Sequence, residues 1–190
     1  KKKKGGGEGG GKEDKTVAPP PSVNHLPSHV IERLHSGENM MADSHECVTI
    51  LFGEIVGFNE LASNMGNAEM IVLLNEMYNS FDAVVAKHGV YKVESMGDAY
   101  MLASGHDGAK DHAARVYRTA VEMLDLVHEI RKNHDVKVDI RIGIHAGPAF
   151  AGVVGVKHPH YCFFGSTVSI ASRMESNGFP SCIQLTQDFL

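Results

Sequence analysis

Apolar positions along this chain recur with two periods. Cys47 to Val56, CVTILFGEIV, is an almost unbroken run of Val, Ile, Leu and Phe, too short for a helix, and predicts a buried central strand. Met70, Leu73, Leu74, Met77, Phe81, Val84 and Val85 keep helical spacing and predict an amphipathic helix over about 66–88, closed near Gly89. Ala113, Val116, Ala120, Met123, Leu124, Val127 and Ile130 predict a second long helix over about 108–132. Between them, Val90 to Gly105 places apolar-rich runs on either side of Met96-Gly97-Asp98: a strand, a tight turn and a returning strand. Strict alternation puts Tyr91, Val93 and Ser95 on one face of that strand, and Lys92 and Glu94 on the other.

Further on, Val138 to Val154 alternates and then turns at Gly147-Pro148, which predicts two strand segments joined by a bend. Tyr161 to Phe164 reads as a short strand. Ser166 to Ser176 reads as a helix with Ser166 as N-cap and Gly178 as its stop, and 181–190 begins another strand. Near the start, Val30, Ile31 and Leu34 mark a short helix, with Pro27 in its first turn and Gly37 at its end. This order predicts an α+β, ferredoxin-like sandwich, in which two long helices cover one face of a mostly antiparallel sheet.

Composition adds the domain plan. Residues 1–25 open with a lysine block, a glycine block and a proline run that cannot bury enough apolar surface to fold, so they predict a flexible linker or tail. Residues 26–190 form the folded domain, and 43% hydrophobic residues suffice for its core. No apolar run approaches the ~20 residues needed to cross a bilayer, and no signal peptide opens the sequence. A formal charge of −5 does not favour nucleic acid as a partner. Cys47, Cys162 and Cys182 lack metal-ligand spacing and argue for a reducing, cytoplasmic compartment. The twelve histidines are scattered without a zinc pattern.

Two acids stand out. Glu54 sits at the end of the most apolar strand, where a lone carboxylate is costly unless paired or metal-bound. Asp98 sits in the hairpin turn. The element order lets the two converge, and a few hard oxygen ligands of this kind suit Mg²⁺ or Mn²⁺ shared with substrate phosphates. The backbone at Gly57 and Phe58 runs into a helix start, whose N–H groups suit phosphate oxygens. The residues alone leave a second reading open: unrelated acids at strand ends, and a solvated Lys92–Glu94 pair.

The strings VTILFGEIVGF (48–58), VYKVESMGDAYMLASG (90–105), RIGIHAGPAFAGVVG (141–155) and YCFFGSTVSIASRMES (161–176) together resemble the class III nucleotidyl cyclase catalytic domain, in its eukaryotic guanylate cyclase branch. The lead-in from Thr16 to His45 resembles the fungal rhodopsin–guanylyl cyclases. The resemblance implies a second cyclase domain paired head to tail, with active sites in the cleft between the two. It implies GTP as substrate, two divalent ions, and in-line attack of the ribose 3′-oxygen on the α-phosphorus with release of pyrophosphate. It also implies an upstream sensor in the full-length protein, with the domain on the cytoplasmic side of a membrane-tethered receptor.

By position, Asp98 and Glu54 match the metal acids, with the Ile55 backbone beside them. Glu94 matches the guanine reader, Cys162 the small residue near guanine O6, and Arg173 the phosphate-clamping arginine. The Glu94 oxygens can accept from both guanine donors, which favours GTP over ATP. Arg141 matches a phosphate contact from the metal side, or is simply a charge at a strand start. Four departures follow. Glu54 stands in place of aspartate, after Gly53 in place of serine. Ser169 stands in place of the asparagine that stabilises the transition state. Ser166 and His160 replace an acid or amide and an arginine. A lysine beyond this end that meets the triphosphate is absent from the sequence. The expected consequences are weaker metal binding or a preference for Mn²⁺, and impaired turnover. A metal-side role in a heterodimer, or a nucleotide- or partner-binding regulatory subunit, is the corresponding alternative to a homodimeric enzyme.

Overall fold

The computed structural model describes residues 25–38, 41–96, 98–155 and 158–189. The expected linker over 1–25 falls outside these but for its last residue, as does Gly97 in the hairpin turn.

Two long strands organise the sheet. β1 (Ala42–Val56) and β4 (Asp139–Val154) pair antiparallel from Ala42↔Gly152 to Val56↔Asp139. Both outrun the sequence expectation: β1 begins at Ala42 rather than Cys47, and β4 continues through Gly147-Pro148 instead of splitting there. The register explains the second correction. It shifts between His45 and Val48, so that Glu46 and Cys47 oppose Pro148 alone. A bulge accepts a proline, which has no N–H for the ladder, and bends the ribbon without ending it.

β3 (Ala99–Ser104) lies on the other side of β1, and β2 (Tyr91–Met96) flanks β3. β5 (His160–Phe164) pairs with the far half of β4. β6 (Cys182–Leu185) runs parallel to its near half. The path β2-β3-β1-β4-β5, with β6 on β4, is the mostly antiparallel sheet expected. The last strand is shorter than predicted, giving way to a 3₁₀ turn at Gln187–Phe189.

One face of the sheet is covered by α3 (Asn67–His88) and α4 (His112–His134), preceded by the short α2 (Phe58–Asn64). Leu73, Met77 and Phe81 of α3 and Val116, Met123 and Val127 of α4 close a core over Leu51, Ile55, Tyr100, Leu102 and Ile140. Gly89, at φ 62, ends α3 as the left-handed residue the periodicity called for. α4 starts later than 108 because Gly108 takes φ 80 and the Asp107 carboxylate accepts from Ala109 N at 3.1 Å, holding a turn there.

The other face curls. α1 (Ser28–His35) and α5 (Ser166–Ser176) pack onto it around Val30, Val48, Ile50, Ala103, Tyr161, Phe163 and Ala171. The curl brings the two edge strands together, with Tyr91 of β2 6.2 Å from Tyr161 of β5, ring to ring. Arg33 ties α1 to β1 through Asp43 at 2.6 Å. At α5, Gly165 is the N-cap, at φ 124, and Ser166 is the first helical residue without a capping hydrogen bond, which corrects the expected cap. The turn out of β5 needs a positive φ that serine does not readily take.

Candidate active site

β1 delivers Glu54 next to the hairpin turn. Glu54 pairs with Ala99 across β1 and β3, and Ile55 N–H donates to the Asp98 carbonyl at 3.0 Å. The two acids singled out from sequence are therefore brought together. On its other side Glu54 pairs with Arg141 of β4, and the Arg141 Nη2 donates to the Glu54 carboxylate. The same guanidinium donates from Nε to Glu175 Oε1 of α5 at 3.0 Å. Glu54 and Arg141 are about a third exposed, whereas the Glu175 side chain is 9% exposed. Burial works against the Arg141 charge, but the two carboxylates outweigh it and raise its pKa. Burial and the nearby Glu54 carboxylate push Glu175 up.

The sequence offered no reason to single out Glu175, which looks like a surface acid on a short helix. Its burial follows from Gly143. A Cβ at that position would meet the Glu175 backbone N, and Ala171 O at 2.6 Å, so α5 lies against β4 backbone to backbone. A lone glycine inside an apolar strand is the signal that could have found this contact. Nearer the start of α5, the Thr167 hydroxyl donates to Pro148 O at 2.6 Å.

Asp98 shares a crevice with Glu54, Ile55, Tyr78 and Tyr100. Burial and then the charge of Asp98 push the Tyr78 hydroxyl up to about 12, so it stays a neutral donor beside the acid. The donor set fits a hard divalent ion that keeps water and borrows substrate oxygens. Two carboxylates and backbone oxygen stand together, and among the described residues no cluster of three His, Cys, Asp or Glu exists to complete an all-protein cage. Gly57, at φ 74, turns the chain from β1 into α2, so Phe58 is the first helical residue as expected; α2 has only seven residues.

Glu94 lies opposite Met101, after a register shift between Lys92 and Glu94. The shift interrupts the regular β2–β3 ladder between these two residues. Lys92 is held by Asp82 of α3, at 2.8 Å. The Glu94 side chain lies outside the described residues. Cys162 is on β5 opposite Gly152, its Sγ 3.8 Å from His160 O. Ser169 and Arg173 lie on the exposed side of α5, whereas Thr167, Ala171 and Glu175 are buried against the sheet. No ion pair holds Arg173 among the described residues.

Two wider clefts, each about 520 Å³, lie elsewhere. One is bordered by Met65, Val72 and His134, the other by His29, Glu32, Tyr91 and His106. The crevice at the acids is narrow, with an empty volume of about 190 Å³.

A curled sheet bearing adjoining acids at a strand end and a hairpin turn is the framework of a nucleotidyl cyclase domain. Residues 40–190 match the family model described as adenylate and guanylate cyclase catalytic domain, and the chain belongs to that family. Among its relatives, atrial natriuretic peptide receptor 2 of Homo sapiens is 47% identical over 158 residues, 80% of this chain and 15% of the relative. A receptor-type guanylate cyclase of Caenorhabditis elegans is 43% identical over 167 residues, 86% of this chain and 16% of the relative. The chain thus spans about a sixth of the curated relatives it matches. Among solved structures, the guanylate cyclase domain of RhGC from Catenaria anguillulae in complex with GTP superposes with a TM-score of 0.72 at 34% identity, covering 77% of this chain and 81% of that one. A non-canonical dimeric guanylyl cyclase domain of the RhoGC fusion protein from Blastocladiella emersonii gives 0.72 and 34%, covering 77% and 83%. Among the described residues, no helix is long and apolar enough to cross a membrane.

Proposed function

We propose that this domain is a guanylate cyclase that converts GTP to cyclic GMP and pyrophosphate, with its site completed by a second cyclase domain. The observation that carries the reading is the junction of Glu54 and Asp98, with Arg141 across the strand from Glu54. Its family membership and the GTP complex of a 34% identical domain support the choice of substrate. Glu54, Asp98 and the Ile55 backbone would hold Mg²⁺ or Mn²⁺. When bound, these ions lower the cost of ionising the ribose 3′-hydroxyl and offset charge on the phosphates. Arg141 offers a planar fork to phosphate oxygens from the same side, a geometry lysine lacks. Gly57 and Phe58 contribute backbone N–H groups at the same strand end.

The other half-site is assigned to β2 and to the β5–α5 arm that meets it. Glu94 accepts from the guanine N1–H and amino group, Cys162 lies near O6, and Arg173 clamps phosphate, with Ser169 at the position of the stabilising asparagine. In a head-to-tail pair the exposed Ser169 and Arg173 serve the opposite cleft from Glu54 and Asp98. Exposure of this arm and the small volume of the crevice at the acids, about 190 Å³, both support a site built between two domains. The curated relatives are receptors or receptor-type enzymes by name, which supports an upstream sensor and a domain held on the cytoplasmic side of a membrane.

Two observations favour a second reading, a regulatory subunit: Glu54 is engaged by Arg141, and the asparagine position is a serine. The test is to incubate the chain with GTP and Mn²⁺, alone and mixed with an intact guanylate cyclase domain. Cyclic GMP from the chain alone supports a homodimer. Product above the additive rate in the mixture supports a metal-side subunit. A folded dimer that yields no product in either case supports the regulatory reading and overturns the enzyme.

A further inference from the structure

Arg141 stands between two carboxylates that are not alike. Glu54 is about a third exposed and opens onto the surface shared with Asp98, whereas Glu175 is nearly buried on the inner face of α5. The two bonds also leave from different atoms. Nη2 goes to Glu54 and Nε, nearest the aliphatic stem, goes to Glu175. Ser176 Oγ donates to the second Glu175 oxygen at 3.1 Å, and the backbone contact of α5 at Gly143 leaves the helix no room to settle closer.

We propose that Glu175 is a positioning residue for Arg141, the anchor that keeps the guanidinium at the acidic end when Glu54 gives up its ion pair. Arg141 acts as the resident counter-cation of Glu54 in this state. A cation arriving at Glu54 competes with it, and without a second carboxylate the displaced arginine would swing away. Glu175 holds the Nε and the stem, so that Nη2 turns outward as a donor over the same surface. A buried carboxylate suits this task because it would be costly to leave without its arginine. The outward-turned donor rests on the cyclase reading above; the anchor itself does not.

The experiment follows the Arg141 Nε–H signal by ¹⁵N-edited NMR and measures its exchange with solvent. In Glu54→Gln the surface ion pair is removed without any metal, and the Nε–H should stay protected to within about twofold. In Glu54→Gln combined with Glu175→Gln, protection should fall by about tenfold, as for loss of one charge-assisted hydrogen bond, while Tm stays close to that of Glu54→Gln. Loss of protection in Glu54→Gln alone overturns the anchor. So does full protection in the double variant. Glu54→Gln alters a partly exposed side chain, so this arm is decisive even if the double variant does not fold. A separate titration of wild-type protein with Mg²⁺ and GTP should shift the Glu54 carboxylate signal and leave Nε–H protected. No shift at Glu54 counts against the metal reading of the acids, whereas loss of Nε–H protection during the shift overturns the anchor.

Discussion

The acidic end of the sheet and the β5–α5 arm are held in opposite ways. Glu54 and Arg141 sit on adjacent strands with Asp98 in the hairpin turn beside them, tied by the β1 ladder, by the Ile55–Asp98 hydrogen bond and by the ion pairs through Arg141. Ser169 and Arg173 sit on the exposed side of one helix, with no ion pair to fix the arginine among the described residues. The difference shows which part of the chemistry a single chain can preorganise. Carboxylates that repel one another need a fixed cation and a rigid ladder before any ligand arrives. The phosphate clamp proposed for Arg173 can wait in water, because its ligand would bring the opposite charge. α5 joins the two regions, since its inner face carries Glu175 and its outer face carries Ser169 and Arg173.

The comparison can be pressed by substitution. The largest effect should come from the arm. Glu94→Lys with Cys162→Asp should swing the GTP-to-ATP preference by about 10³-fold, read as the ratio of cyclic AMP to cyclic GMP. An active variant that still prefers GTP would remove the base-reading role from both positions. Next is the wall common to both regions. Gly143→Ala should cost about 3 kcal/mol in urea unfolding, because α5 backbone at Ala171 and Glu175 occupies the space of the new methyl group. It should impair metal-side and arm-side function together, and an unchanged midpoint would show that α5 can slide. Ser169→Asn should raise cyclic GMP turnover by about 10²-fold by restoring one preorganised donor. Glu54→Asp should raise Mg²⁺-supported turnover by roughly tenfold relative to Mn²⁺, if carboxylate reach limits the acidic end.

The smallest effect concerns the histidine beneath β5. His106 packs at a tilt against Tyr161 and edge-on against Phe163, at 6.0 and 5.8 Å between ring centres. Burial lowers its pKa to about 4, outweighing the pull of Asp107. The folded state then resists a proton that the unfolded chain accepts near pH 6.5. Stability should therefore fall as pH drops from about 6.5 towards 4, with about 1 kcal/mol lost between pH 7 and 5.5. Denaturation of His106→Gln across that range should be flatter than wild type, and parallel curves would locate the acid sensitivity elsewhere.

Much of this arrangement was legible in the residues. The hairpin and the two long helices follow from periodicity, and element order allowed the meeting of Glu54 with Asp98 without requiring it. What escaped was non-local. The register shift between Lys92 and Glu94 depends on how β2 meets β3, and the length of β1 depends on a bulge against Pro148. Ala42 to Glu46 is too polar to read as strand, since only pairing with the far half of β4 makes it one. Glu175 escaped because its burial is decided across the α5–β4 contact rather than along α5.

Gly143 carries no chemistry, yet it sets the thickness of the wall between the two regions. In a saturation screen scored on product alone, substitutions there should rank with those at Glu54 and Arg173, although the position touches neither nucleotide nor metal. Its tolerance would be set by volume, with alanine the mildest change and every larger side chain worse. A map of such scores over β4 would therefore mark one position by the size of what it excludes and its neighbour Arg141 by what it binds.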